Sequence, residues 1–534
     1  MMTESTPRYI EARDLKAWIH DAAELALLDV REHGQFGENH LFFAVPLPYS
    51  ELELHIARLV PRLGTRTVIY GDADTEAAVL AAARVLDGLG YRRVHILRGG
   101  IQAWREAGYA TFAGVNLPSK TFGELAEHAY GTPSVSAPEL HAMLNNGAEN
   151  VVVLDGRPVA EYRKMNIPGA ICCPNGELAL RIGELAPDPR TKIIINCAGR
   201  TRSIIGAQTL INLGIPNEVY ALENGTQGWY LADLPLEHQS GRVYPAAIAA
   251  QGLDKPRQRA GSLRERFAIP VVDAARVRAW LDDEARNVFL CDVRTEEEHR
   301  QGDLPAAVQH TPGGQLIQAT DQYIGVRKAR IVLCDTDGIR APVVASWLKQ
   351  LGWDVSLLQA PGQLGDVSRI AVPSPRLSHA SNLAPARLAA FVQSHPDAAI
   401  LDARPSAQFR QGSIRAAAWV IRPTLMRQLE SRPTGPVLLL GDSQAKLALL
   451  AADLEQAGRR DIYLCVADEA ALAASGLPLA ANDDLPDEAC IDYLFFVHDR
   501  HDGNKAAARQ YLEWETNLVS QIDEQERKTF SVGI

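Results

Sequence analysis

Short apolar runs rich in Val, Ile and Leu recur along the chain and alternate with Ala/Leu-rich stretches of helical period. Four of these runs end in Asp-x-Arg: Leu28-Asp29-Val30-Arg31, Leu154-Asp155-Gly156-Arg157, Cys291-Asp292-Val293-Arg294 and Leu401-Asp402-Ala403-Arg404. About 40 residues beyond each lies a second run: Thr67-Val68-Ile69-Tyr70, Ile193-Ile194-Ile195-Asn196, Ile331-Val332-Leu333 and Val437-Leu438-Leu439-Leu440. Each second run enters a short loop and then a helix that closes near a glycine, at Gly90, Gly214, Gly352 and Gly458, and a further strand follows. Strands that are apolar throughout, rather than alternating, are buried on both faces, which predicts parallel sheets covered by helices. The four Asp positions are 126, 137 and 110 residues apart, a domain-sized spacing that is too long for a solenoid. The pattern predicts four tandem α/β domains, each a small parallel sheet with helices on both faces, over residues 1–115, 130–240, 265–372 and 378–482.

Periodicity lapses and Pro, Gly, Ser or charge gathers at about 112–134, 239–268 and 371–382, which reads as linkers. Residues 483–534 read as a C-terminal helical tail with one long helix from about Asn504 to Lys528. Its Tyr511, Leu512, Leu518, Val519 and Ile522 form an apolar stripe that packs on the domains or on a second subunit of a homodimer. His498-Asp499-Arg500-His501-Asp502 has metal-ligating residue types but stands just before that helix, where Asp502 serves as a cap. No metal or cofactor is expected.

Charge narrows the partners. With 54 basic and 65 acidic residues in 534, the net charge is −11, which argues against the broad basic face that nucleic acid or an anionic membrane requires. The polar start Met1-Met2-Thr3-Glu4 does not read as a secretory signal, and no apolar stretch is long enough to span a bilayer. Seven cysteines without a CxxC or Cys/His finger spacing argue against a disulfide framework or a zinc site and point to the reducing cytoplasm.

One cysteine stands out, in Ile195-Asn196-Cys197-Ala198-Gly199-Arg200-Thr201-Arg202-Ser203. The segment joins a buried strand to a helix, so Cys197 stands where backbone N–H groups converge at the positive end of the helix dipole. That position, with Arg200 and Arg202 beside it, is expected to lower the thiol pKa below its free value of about 8.5. A thiolate in a cradle for a small dianion is what covalent transfer from a sulfur or phosphorus oxyanion requires. Asp155 and Arg157 read as a structural pair, because the motif occurs in all four repeats whether or not a nucleophile follows. Cys172 and Cys173, on a short strand, and Cys291, Cys465 and Cys490, in apolar strand contexts, read as core residues.

The strand-end Asp-x-Arg, the segment Ile167-Pro168-Gly169-Ala170, the Cys-x-x-x-x-Arg-Ser loop and the Gly/Trp segments Gly99-Gly100-Ile101-Gln102-Ala103-Trp104 and Gly225-Thr226-Gln227-Gly228-Trp229 together resemble rhodanese-homology domains. As a whole the chain resembles multi-domain bacterial thiosulfate sulfurtransferases. The resemblance implies that Cys197 attacks the outer sulfur of thiosulfate, expels sulfite, holds a persulfide and hands that sulfur to cyanide or another thiophile. It makes Ala198, Gly199, Arg200, Thr201 and Arg202 the binding loop for persulfide and sulfonate. Repeats one and four carry Gly71 and Gly441 at the nucleophile position and read as inactive copies. In repeat three, Cys334 and Arg340 have five intervening residues instead of four, a spacing like that of the family's phosphatase branch and a candidate second site. Asp335 and Asp337 oppose a thiolate and a dianion there. The alternatives are a persulfide carrier or interaction scaffold with a protein sulfur acceptor, and a Cys-dependent phosphatase or arsenate reductase. Two-domain relatives imply that repeats one and two pair, and that repeats three and four pair.

Overall fold

The apolar runs become the inner strands of four sheets. In the computed structural model, which describes residues 7–146, 150–246, 252–367, 371–430, 432, 435–495 and 504–533, each repeat forms a five-stranded parallel sheet. All four sheets share the strand order 1-5-4-2-3, counted within the repeat. The second and fourth strands, adjacent at the centre, are β1 (Ala26–Asp29) and β2 (Thr67–Tyr70), β3 (Val151–Asp155) and β4 (Lys192–Asn196), β5 (Val288–Asp292) and β6 (Arg330–Cys334), and β7 (Ala399–Asp402) and β8 (Val437–Gly441). Every residue of β1, β2, β5, β7 and β8 is buried, which is why these strands show no polar alternation.

In the order 1-5-4-2-3 the chain leaves strand four toward one side of the sheet and strand two toward the other. A crevice therefore opens between their carboxyl ends, the place where α/β sheets build ligand sites. The Asp-x-Arg motif stands on one lip. Arg157 donates from Nε to Asp155 Oδ1 at 2.9 Å and from Nη2 to Oδ2 at 2.7 Å, and its own backbone N–H reaches Oδ1 at 3.1 Å. Arg31–Asp29, Arg294–Asp292 and Arg404–Asp402 repeat this geometry, and all four carboxylates are fully buried. The pair is a structural device common to the repeats.

Three expectations about the connections are corrected. The stretch 112–134 is mostly a helix, α2 (Leu117–Tyr130), which follows α1 (Glu76–Gly88) of repeat one and packs on α3 (Thr201–Asn212) of repeat two. Its helical pattern is masked because Lys120 and Glu124 lie on buried positions. The stretch 239–268 contains α4 (Asp254–Arg266), which packs on α5 (Arg340–Gln350), and 371–382 contains the edge strand Ala380–Asn382. The tail helix is two helices. Repeat four contributes α6 (Gln444–Gln456) and the tail α7 (Lys505–Gln521) and α8 (Glu524–Arg527), and the break before α8 arises where Asp523 caps a new helix by accepting from the Glu526 N–H. Asn504 caps α7, while the His498–Asp502 segment lies outside the described residues.

The repeats pair differently from the expectation. Repeat two meets repeat three through Trp347 Nε1, which donates to Thr209 Oγ1 at 2.8 Å, and through Arg340, which reaches Glu177 at 2.9 Å. Repeat one meets repeat four through Arg422–Glu53 at 2.7 Å and Lys446–Glu51 at 2.6 Å. It meets repeat three where Asn287 donates to Glu24 at 2.6 Å. The largest apolar cluster is continuous across repeats one, two and three, from Leu28 through Ile195 to Trp347.

Removing one member of an Asp–Arg pair leaves a buried charge unmatched. Asp402→Ala is expected to destabilise the protein by about 3–5 kcal/mol, and Asp402→Ala with Arg404→Met to recover most of that loss, as read by urea unfolding. Equal losses in the single and double variants would contradict a paired structural role.

Candidate functional site

The second lip of the crevice in repeat two is the loop from Cys197 to Arg202. Asn196, the last residue of β4, donates from Nδ2 to Asp155 Oδ2 at 2.8 Å and to Thr226 Oγ1 at 3.1 Å, joining the two lips. Below the loop, Thr226 donates its backbone N–H and its hydroxyl to the Cys197 carbonyl at 2.8 and 3.0 Å, and Gln227 N–H donates to the Ala198 carbonyl at 3.1 Å. The approach is so close that a Cβ on Gly225, at φ +53°, would lie 2.4 Å from the Cys197 carbonyl oxygen.

With these carbonyls held underneath, the amides are left for the crevice. Among the described residues, no acceptor engages the backbone N–H groups of Ala198, Gly199, Arg200, Thr201 or Arg202. The first amide to find one is Ser203, which donates to the Arg200 carbonyl at 3.0 Å. They precede and open the twelve-residue helix α3, so its dipole adds to them. Cys197, 2% exposed, lines a cavity of about 720 Å³ together with all five loop residues, Arg157 and Lys120.

The loop arginines line this cavity but are held by carboxylates. Arg202 makes two bonds to Glu161 at 2.9 and 2.8 Å. Burial works against its charge, yet Glu161 and the Cys197 sulfur hold its pKa above the ordinary arginine value. Arg200 turns toward α2, with Glu124 at 2.8 and 2.9 Å and Glu127 also in contact. Much of the positive potential in the cradle therefore comes from backbone N–H groups.

The tail supplies a roof that sequence reasoning missed. Glu515 of α7 accepts from Thr201 Oγ1 at 3.0 Å and from Lys120 Nζ at 3.1 Å, and Lys120 also contacts the Tyr511 hydroxyl. The Lys120 ammonium stands 4.7 Å from the Tyr511 ring and 5.1 Å from the Trp514 ring. A Cβ on Gly199 would come within 2.7 Å of Glu515 Oε2, so the Cys197 loop carries a glycine where the roof lies flat on it. A signal for Glu515 was present, a carboxylate four residues after Tyr511 and three before Leu518 on the apolar stripe. Lys120 had none. Of the stripe, Tyr511, Leu512 and Leu518 are buried against the domains.

Strand pairing corrects the reading of Cys334. Asp29, Asp155, Asp292 and Asp402 stand opposite Tyr70, Asn196, Cys334 and Leu440. The same four residues accept through their carbonyls from Val30, Gly156, Val293 and Ala403. Cys334 is thus the counterpart of Asn196, and Asp335 stands at the position of Cys197, as Gly71 and Gly441 do in their repeats. A slip of one residue turns a side chain to the other face, and Cys334 points into an apolar core with Leu290 and Val332. Arg340 is the counterpart of Arg202: it pairs with Glu298 at 2.6 Å as Arg202 pairs with Glu161, six residues after the motif Asp in each repeat, and with Asp337 at 2.7 Å.

In each of the other three loops a side chain accepts from at least one loop amide. In repeat three, Asp335 accepts from Gly338 and Ala341 N–H at 3.1 and 2.8 Å, and Asp337 accepts from Ile339 and Arg340 N–H at 2.7 and 3.0 Å. In repeat one, Asp72 accepts from Thr75 N–H at 3.0 Å, and in repeat four Ser443 accepts from Lys446 N–H at 3.5 Å. Burial pushes the Cys334 thiol well above its ordinary range and holds the Asp335 carboxyl up at about 7.

The remaining cysteines are buried. Burial pushes the Cys172 thiol up to about 12, that of Cys465 up to about 11, and that of Cys173 well above its ordinary range. Cys490 follows a short 3₁₀ turn, Asp487–Ala489, rather than standing in a strand.

Comparison with known proteins places these features in a family. A family model described as Rhodanese-like domain matches residues 11–107, 136–232 and 273–360. Among solved structures, a thiosulfate sulfurtransferase from Pseudomonas aeruginosa aligns over 99% of this chain and 99% of its own, with 39% identity and a TM-score of 0.88. A thiosulfate sulfurtransferase of Azotobacter vinelandii is 27% identical over 274 residues, 44% of this chain and 98% of that protein. An HTH-type transcriptional regulator of Mycobacterium tuberculosis is 32% identical over 112 residues, 21% of this chain, and the match spans 49%, about half, of that protein.

Reactivity toward a small alkylating agent separates the two loop cysteines. Iodoacetamide on the native protein is expected to modify Cys197 first, with Cys334 reacting only after denaturation, as read by peptide mass mapping. Early modification of Cys334 would contradict its place in the core.

Proposed function

The chain belongs to the family of rhodanese-like domains, and from that membership we propose a thiosulfate sulfurtransferase of the thiosulfate:cyanide type in which residues 130–240 are the catalytic domain and Cys197 is the nucleophile. The observation that carries this reading is the contrast between the loops. Repeat two presents its sulfur beside five amides without an acceptor among the described residues, whereas in repeat three Asp335 and Asp337 take four of the loop amides, and repeats one and four, where Asp72 and Ser443 each accept from one amide, have Gly71 and Gly441 in place of the cysteine. A site for a small oxyanion requires the first arrangement and is blocked by the second. Repeats one, three and four then serve as structural partners, and their contacts hold the catalytic domain against α2 and α7.

The reaction follows from that geometry. The thiolate of Cys197 attacks the outer sulfur of thiosulfate, the S–S bond of thiosulfate breaks, and sulfite leaves with the electron pair. The new Cys197–S–S⁻ group rests its terminal charge on the amides of Ala198 to Arg202, with the Arg202 guanidinium adding to their potential. Cyanide or another thiophile attacks the terminal sulfur and departs with it, and the electron pair of the S–S bond returns to Cys197 as thiolate. No metal or redox cofactor enters this sequence of steps.

The position of Cys197, 2% exposed under Tyr511, Trp514 and Glu515, favours small-molecule donors and acceptors over a docked protein acceptor. A loop register that puts Asp335 at the nucleophile position of repeat three weighs against the phosphatase reading. Seven free cysteines suit a reducing compartment such as the cytoplasm, and among the described residues no helix is long and apolar enough to cross a membrane.

Thiocyanate formation from thiosulfate and cyanide tests the assignment. Cys197→Ser is expected to abolish turnover while Cys334→Ser retains it. Arg202→Met is expected to raise KM for thiosulfate by roughly tenfold or more, the effect of losing one charge-assisted interaction. Arg200→Met, whose charge is spent on Glu124 and Glu127, is expected to change stability more than KM. Turnover that survives Cys197→Ser and is lost in Cys334→Ser would move the site to repeat three.

A further inference from the structure

A second cavity, of about 500 Å³, lies behind the walls of the first. Pro118 and Ser119, beside the start of α2, line it, while Asn116 and Lys120 line the Cys197 cavity. Thr320 and Asp321 line it too, with Gln318 and Gln322 on the Cys197 side. Its apolar lining is assembled from Ile19 and Phe43 of repeat one, Ile324 and Trp353 of repeat three, and Phe530 of the tail. A volume of this size with an apolar lining and a few convergent polar groups is the usual form of a small-molecule site.

Among the described residues, three polar groups of this lining have a buried atom without a hydrogen-bond partner: Nε of Arg327, Nε2 of His20 and Oδ1 of Asp321. Arg327 is the most telling of them. Its guanidinium carbon stands 3.4 Å from the centre of the Phe43 ring, and Nη2 donates to the Ile19 carbonyl at a long 3.5 Å. Elsewhere in the fold, Arg31, Arg157, Arg202, Arg340 and Arg422 each hold a carboxylate at 2.9 Å or closer. Burial pulls the Arg327 pKa down to about 9, opposed only by the charge of Glu526. An unmatched guanidinium in a desolvated place destabilises a fold unless a ligand brings the missing anion. Lys328 adds a second cation to the same lining, and burial holds the Asp321 carboxyl up at about 7.

We propose that this cavity is a binding site for a small organic carboxylate with an apolar body, its carboxylate on the Arg327 guanidinium and its body against Ile19, Ile324 and Phe530. A carboxylate matches the planar fork of an arginine that no carboxylate holds among the described residues. The apolar majority of the lining favours a monoanion with a hydrocarbon part over an inorganic dianion. The site is separate from the Cys197 reading, since none of these residues belongs to the nucleophile loop.

Calorimetric titration of the full-length protein with 3-phenylpropionate, acetate, 3-phenylpropanol and hexylammonium at constant ionic strength tests it. 3-Phenylpropionate is expected to bind once per chain, with acetate and the neutral alcohol about tenfold weaker or more. Arg327→Met is expected to lower affinity for 3-phenylpropionate by a similar factor while its unfolding temperature stays at or above that of the wild type, because the unmatched charge is gone. Lys328→Glu, at the half-exposed second cation, is expected to weaken binding as well and serves if Arg327→Met fails to fold. Cys197→Ser is expected to bind as the wild type does, so that a failure of sulfur transfer and a failure of this site are read separately. The proposal is overturned if 3-phenylpropionate does not bind, if the alcohol or hexylammonium binds as tightly, or if the Arg327 or Lys328 variant binds unchanged.

Discussion

A buried carboxylate at the end of the second strand is the constraint on which each repeat is built. Asp155 has no water to solvate it, so it must be matched from within the chain, and Arg157 supplies two bonds. A third comes from Asn196, at the end of the neighbouring strand and directly before Cys197. The same charge that ends β3 therefore positions the loop that carries the sulfur. In the other repeats the corresponding Asp recruits different partners besides its Arg, His299 for Asp292 and Ser413 for Asp402. The crevice persists while the chemistry around it varies.

Four copies of one sheet have diverged through the acceptors in their loops. A strand-to-helix loop exposes amides whose hydrogen-bonding capacity must be met. The pair Asp335 and Asp337 meets it for four amides of repeat three, and Asp72 and Ser443 meet it for one amide each in repeats one and four. Among the described residues repeat two has no such side chain, and its Cys197 and Ala198 carbonyls are engaged from below by Thr226 and Gln227. In repeat two the cysteine and five amides without an acceptor among the described residues share one loop.

The duplicated domains also build sites that no single copy contains. The Cys197 cavity takes walls from repeats two and three, from α2 and from α7, and the Arg327 cavity takes walls from repeats one and three and from the tail. Both depend on α2 and the tail, segments outside the repeating sheets. Repeat three, with Asp335 where repeat two has Cys197, thus supplies a wall of the Cys197 cavity.

The sheets, their parallel sense and the Asp-x-Arg pairs were legible in the sequence, because burial on both faces demands unbroken apolar strands and a charged motif repeated four times has a shared structural cause. The prominence of Cys197 was legible for a similar reason: a strand, a cysteine, a glycine and two arginines before a helix are local facts. What local spacing did not convey was register. Counting from cysteine to arginine matched Cys334 with Cys197, whereas hydrogen bonding between β5 and β6 matches it with Asn196, and one residue of slip moves a side chain from crevice to core. Nor was it visible that Arg200 and Arg202 are held by Glu124 and Glu161, or that Lys120 and Glu515, 395 residues apart in sequence, meet over the loop. Sequence order determines which strands and loops form, since those follow from near neighbours. Which charges are matched and which are left for a ligand is decided only when distant segments are packed together, because matching depends on distance in space.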